Sequence, residues 1–282
     1  MRLLGTLIIP AFLIMAASTA QAASLSKRLL GPSDEVRGKA IQELHRLKPG
    51  KKVKLAGKLA KALSAKDTAT RSRAALGLWM LGASAKATVP ALTKALSDES
   101  TQVRGRAAAA LGKIGGDAGP AVEALITMTG DKVVGMRTTA ITSLGLIGPN
   151  ASPAVPRLTE LLDSPHAPFS RRAAVALGNI GPAASAAAAK LEEKLAEGAP
   201  RMQIQAALAL ARVRPGPVTV KALVKAFKSD AAPVRKGAAD ALADMGPAAD
   251  GAIDALRRLA KKDKVASVRE AAKTALSRIG AH

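Results

Sequence analysis

Six arginines recur along the chain at nearly constant spacing, each three to six positions after an acidic residue: Arg37, Arg71, Arg104, Arg137, Arg235 and Arg269 follow Asp34, Asp67, Asp98, Asp131, Asp230 and Asp263. A guanidinium presents a planar fork of donors that matches a carboxylate, and a carboxylate near a helix start meets the positive end of the backbone dipole. The chemistry on offer is a ladder of ion pairs that fixes how repeated units stack, or a row of contacts to a bound anion. Recurrence once per unit is what a structural ladder requires, so the ladder is the expectation.

Enzymatic chemistry lacks its parts. There is no cysteine, which removes disulfides, thiolate nucleophiles, iron–sulfur clusters and cysteine zinc sites together. Only His45, His166 and His282 are present, with no His-Glu pair, no Gly-x-Ser-x-Gly elbow and no Walker loop. Gly115-Gly116-Asp117-Ala118-Gly119 resembles a phosphate loop in composition, but it ends a helical pattern and no strand precedes it. A non-catalytic protein with no metal and no cofactor is expected.

The elements that carry the arginines repeat. With the residue that opens each similar stretch as position zero, Arg37, Arg71, Arg104, Arg137, Ser170, Gln203, Arg235 and Arg269 stand 34, 33, 33, 33, 33, 32 and 34 residues apart. Apolar or small residues fall at −1, +3, +7 and +10, as in Val103, Ala107, Leu111 and Ile114, which is one stripe of a helix. Gly82, Gly115, Gly148, Gly181, Gly246 and Gly280 close these helices, several with proline next. A second amphipathic segment follows in each unit: 53–63, 89–96, 121–129, 154–162, 186–195, 218–227 and 252–260. One hairpin cannot enclose its apolar face, so the units must stack. Composition agrees: 63 alanines, no tyrosine, one tryptophan and three phenylalanines disfavour a β-sheet core. The expected fold is all-α, an α-solenoid (superhelix) of about seven helical hairpins plus a terminal helix.

Asp98 to Gly115 and Asp230 to Gly246 show a fuller pattern: aspartate, a short turn, Val-Arg, paired alanines, Ala-Leu and a closing glycine. In this the chain resembles the HEAT-like repeats of the phycocyanobilin lyase type over about residues 30 to 280. Lys48-Pro49-Gly50 and Arg214-Pro215-Gly216 depart from the usual close of a first helix. Second helices line the inner curve of HEAT-like solenoids. The resemblance therefore implies a broken basic stripe there of Lys58, Lys61, Lys94, Arg157, Lys190, Lys194, Lys225, Arg257 and Arg258. The metal pairs of the related deoxyhypusine hydroxylases are missing, and a tetrapyrrole pocket is disfavoured by export and by Trp79, Phe169 and Phe227 being the only aromatics after residue 22.

Residues 1–22 read as a signal peptide and 23–282 as the repeat solenoid. Arg2 precedes an apolar run from Leu3 to Ala17, too short to span a bilayer, and Ala20-Gln21-Ala22 supplies small residues at a cleavage site. The protein is expected to be periplasmic or extracellular, with no transmembrane span once the leader is cleaved.

The net charge is +22 and sits at the ends. Residues 23–66 and 201–282 carry +9 each, whereas 67–200 carry +3. The expected partner is therefore an acidic protein, with anionic lipid or polysaccharide sharing the same electrostatic logic. A solvated face that only keeps the rod soluble is the competing account of these cations. Nucleic-acid binding and an enzyme of the lyase or hydroxylase-related repeats stand as alternatives, the former disfavoured by compartment and by the lack of stacking aromatics. Trp79 lies where other units carry Gly or Ala; packing is its first reading and an interface anchor its second.

Overall fold

A computed structural model describes residues 24–281. The expected leader, residues 1–22, and His282 lie outside the described residues. A short helix α1 (Leu25–Leu30) comes first. Seven hairpins follow: α2 (Asp34–Arg46) with α3 (Pro49–Ala62), α4 (Thr68–Leu81) with α5 (Val89–Ala95), α6 (Thr101–Ile114) with α7 (Val122–Met128), and α8 (Val134–Ile147) with α9 (Val155–Leu161). The series continues with α10 (Ala167–Ile180) and α11 (Ala188–Glu197), α12 (Pro200–Val213) and α13 (Pro217–Ala226), and α14 (Ala232–Met245) and α15 (Ile253–Lys262). The single helix α16 (Ala266–Ile279) ends it. This is the expected all-α solenoid of seven hairpins and a terminal helix. The helix α1 had no counterpart in the sequence reading.

Local chemistry sets the helix ends. The Ser33 hydroxyl and the Asp67 carboxylate accept the Val36 and Thr70 amides at the starts of α2 and α4. Gly115 closes α6 at φ 78°, ψ −143°, a region open only to a residue without a Cβ. In five units the closing glycine leads into a seven-residue 3-10 segment: Gly82–Thr88, Gly115–Ala121, Gly148–Ala154, Gly181–Ala187 and Gly246–Ala252. The first and sixth units lack it, and these carry the two irregular Pro-Gly closes.

The interior is built from two leucine columns. Leu44, Leu78, Leu111, Leu144, Leu177, Leu210 and Leu242 stand at +7 of the first helices, and Leu59, Leu92, Leu125, Leu158, Leu191, Leu223 and Leu256 on the second, all buried. Each such burial contributes about 1.5–3 kcal/mol relative to exposure. Leu276, the same position in α16, is partly buried and packs against this core.

Each second helix packs on the first helix of the next unit, and first helices from α4 to α16 pack in sequence on one another. Small residues set that spacing. A Cβ added at Gly145 of α8 would lie 2.8 Å from the Ala176 Cα of α10. At the N-terminal end, α1 packs on α2, α3 and α4.

Candidate partner-binding surface

The arginines at position zero do two jobs. Each turns back to donate to main-chain oxygens in the loop before its helix: Arg71 donates to the Ala65 and Lys66 carbonyls at 3.1 and 2.9 Å, Arg104 to those of Asp98 and Glu99, and Arg235 to those of Ser229 and Asp230. Arg37, Arg137 and Arg269 donate likewise to the Gly31, Asp131 and Asp263 carbonyls. Gln203, where arginine is replaced, reaches the Leu195 and Ala196 carbonyls at 2.9 and 3.3 Å. Three arginines also clamp forward onto the next unit. Arg71 takes Asp98 at 2.7 Å, Arg104 takes Asp131 at 3.1 Å and Arg235 takes Asp263 at 2.7 Å.

The ladder is therefore present, but its rungs differ from those expected. Among the described residues only Arg37 pairs with the carboxylate before it, that of Asp34. The others that find a carboxylate reach across a unit boundary, because the loop before each helix faces the preceding unit's position zero. The acceptor aspartates also shape their own turns: Asp98, Asp131 and Asp263 accept the Ser100, Val133 and Val265 amides. The hydrogen bond from Arg235 holds the Asp263 carboxyl below its ordinary range, although burial opposes the shift.

The second-helix stripe divides into three parts. Lys58 and Lys61 on α3 and Lys94 on α5 are exposed. At the other end Lys225 on α13 and Arg257 and Arg258 on α15 are exposed, with Arg257 lying 3.8 Å from Asp254. The middle is neutralised within the protein. Arg157 donates to the Thr129 hydroxyl and to Glu160, while Lys190 and Lys194 both bind Asp163, at 2.8 and 2.6 Å, and share Glu193. Hydrogen bonding to Asp163 raises both ammonium groups above their ordinary values, and the two lysines lower the Asp163 carboxyl. Lys58, Lys61, Lys94, Lys225 and Arg258 have no carboxylate partner among the described residues.

Grooves run between the C-terminal parts of second helices. One of about 540 Å³ lies across α11, α13 and the loop to α14, with Leu195, Ala222 and Ala226 as floor and Lys225 and Lys228 at its edge. A second, of about 330 Å³, is floored by Val224, Phe227 and Leu259 and rimmed by Lys228, Arg258 and Lys262. Phe227 and Lys228 were not singled out as site residues. Their signal in the sequence was an aromatic ending a second helix beside a lysine, which is equally a mark of packing. Trp79 is 40% exposed on α4, a first helix, and so stands apart from this surface. His45 is exposed, and His166 is exposed with its ring edge against Phe169. Among the described residues no three His, Asp or Glu side chains come together as a metal-binding group would.

A family model for HEAT repeats matches residues 55–145, 89–178 and 188–277. No curated protein matches the chain. Among solved structures, an engineered protein is 24% identical with a TM-score of 0.57, over 95% of this chain and 80% of that one. The complex of CpcE and CpcF of phycocyanin lyase from Nostoc sp. is 27% identical with a TM-score of 0.48, over 83% of this chain and 95% of that one. The engineered protein supports the fold alone. With three overlapping matches laid over stacked helical hairpins whose leucines and aspartate clamps recur, the chain belongs to the HEAT-repeat family.

Proposed function

We propose that the protein is an exported, non-catalytic scaffold whose basic second helices hold an acidic protein partner. The observation that carries this reading is the distribution of unpaired cations. Lys58, Lys61 and Lys94 at one end and Lys225 and Arg258 at the other are exposed without carboxylates, while the central Lys190 and Lys194 are already satisfied by Asp163. Two separated basic patches on a stack of units favour an extended acidic partner that touches both ends. Each exposed contact is weak, and their sum sets affinity while the long-range field speeds encounter. The grooves beside Lys228 and Arg258 add apolar floor to the C-terminal patch, where a partner's side chain gains more than Coulomb attraction alone. HEAT repeats commonly mediate protein interactions, which agrees with a scaffold.

Export rests on the charged start, apolar run and small-residue site of the first twenty-two residues. N-terminal sequencing of the protein from its host is expected to begin at Ala23; an intact Met1 would remove the periplasmic setting.

The binding reading is tested by affinity capture from a periplasmic extract, washed at rising salt, beside K58E/K61E and K225E/R258E variants. The expected result is one partner retained by the native protein and lost from both variants. Unchanged capture would make the cations a solubilising surface. Duplex DNA binding that survives 200 mM salt would instead favour the nucleic-acid alternative.

A further inference from the structure

The sixth unit departs from its neighbours in two ways at once. It has no 3-10 segment between its helices, and Gln203 at its position zero donates to its own loop without clamping a carboxylate of the next unit. Its second helix, α13, has an open groove on each flank. The groove toward α11 holds about 540 Å³ over Leu195, Ala222 and Ala226, and the one toward α15 holds about 330 Å³ over Val224, Phe227 and Leu259. Lys228 lines both grooves, so it stands on the crest between them, three residues beyond Lys225.

Charge separates these grooves from a similar one elsewhere in the stack. Between α5 and α7 a groove of about 530 Å³ lies over Leu96, Ala124 and Met128, but it carries Thr127 and Gly130 where the sixth unit carries Lys225 and Lys228. Its arginine is also engaged, since Arg104 binds Asp131. Around α13 it is the carboxylates that are engaged. Glu192 is bound by Arg214 and Asp263 by Arg235, while Asp230 adds to the field on Arg235. Lys225, Lys228, Arg258 and Lys262 have no carboxylate partner among the described residues.

A ligand that fits this surface is apolar on both sides of an acidic centre. Packed helices stand about 8–10 Å apart, so roughly that distance separates a groove on one flank of α13 from a groove on the other. An extended chain in the polyproline II form rises about 3.1 Å per residue with three residues per turn, which brings side chains i and i+3 onto one face about 9 Å apart. An α-helix spans only about 6 Å between i and i+4 and meets the distance at i+7. Lysine stems are long and flexible enough to reach carboxylates that flank the crest.

We propose that α13 anchors an extended acidic segment of the protein partner. Two apolar side chains three residues apart enter the two grooves, and the acidic residues between and beside them face Lys225, Lys228, Arg258 and Lys262. This rests on the acidic-partner reading above and adds the local sequence that the partner must carry.

The test is fluorescence anisotropy of a labelled peptide, Gly-Asp-Leu-Asp-Glu-Leu-Asp-Gly, titrated with the mature protein at about 0.15 M salt, where long-range attraction is screened. Replacing either leucine by serine, or moving the leucines to two or five apart, is expected to weaken binding about tenfold or more, the contribution of one buried leucine. K225E/K228E should abolish binding, whereas K86E/K113E, which reverses two exposed charges away from α13, should not. A226F and A255F each fill one groove, and each should erase the advantage of one leucine over serine while leaving that of the other. If either phenylalanine variant fails to fold by circular dichroism, K225E/K228E and the peptide series decide. Tighter binding of a helical peptide with leucines seven apart overturns the proposal, as does equal loss in K86E/K113E, which is attraction by net charge. Binding that needs Lys225 and Lys228 but ignores leucine spacing also overturns it, and leaves the acidic-partner reading standing. A partner captured from the periplasmic extract that is unmoved by any charge reversal removes that reading as well.

Discussion

Position zero selects a side chain by reach and donors before charge. Arg235 satisfies two carbonyls of its own loop and the Asp263 carboxylate of the next unit, with both side chains less than a tenth exposed. Replacing Arg235 by Met strands those oxygens, and urea unfolding should show a loss of roughly 2–4 kcal/mol. The pH dependence has a definite sign. Asp263 has a folded value below its ordinary 3.8, so its contribution is complete above that value and is lost as pH falls through the folded one. Between about pH 5 and pH 2, wild-type stability should decline more steeply than that of D263N. At the junction after the sixth unit the pair is rewritten: Gln203 replaces arginine, and the Ser229 hydroxyl accepts the Ala231 amide as Asp263 accepts that of Val265. The double variant Q203R/S229D should restore a clamp and show a favourable coupling of about 0.5–1 kcal/mol in a double-mutant cycle. The arginine column was legible because side chains of one type recur at a fixed period. Its acceptors were not. Main-chain carbonyls leave no mark in composition, and an acid 27 residues onward is indistinguishable in sequence from one three residues back.

At the scale of elements, small residues do what charge does not. Gly145 lets α8 approach α10 so closely that a methyl group would meet Ala176 at 2.8 Å, whereas the same group at Gly38 of α2 meets nothing within 4 Å. Both sit in helices, where alanine is favoured over glycine by about 1 kcal/mol. G38A should therefore raise stability by about 0.5–1 kcal/mol. G145A should lower it by about 1–2 kcal/mol, since forcing the helices apart outweighs propensity. Opposite signs of Tm shift for the two variants are the check. First helices were readable to within a few residues because apolar periodicity and a closing glycine mark both ends. The 3-10 segments were not, since Gly148-Pro149 signals only that the preceding helix stops and says nothing of how seven residues coil before Val155. Nor was α1, whose six residues hold too few turns to display a period.

Across the whole molecule, charge is placed by consumption. Lys190 and Lys194 belong to the sequence stripe by position, yet Asp163 lies against them across the unit boundary, and only the fold brings it there. The ends keep their charge because they carry more bases for a similar share of acids: residues 201–282 hold sixteen basic and seven acidic side chains, 67–200 fourteen and eleven. Charge reversal at either end should accordingly weaken partner capture and lower its salt sensitivity, while K190E should act mainly by disturbing Asp163. All of this depends on units that add along one direction instead of closing on themselves. Small-angle X-ray scattering of the mature protein tests that most directly. A compact body of about 260 residues has a radius of gyration near 18 Å. The stacked hairpins predict a clearly larger value with an elongated distance distribution, and a value at the compact limit would contradict them.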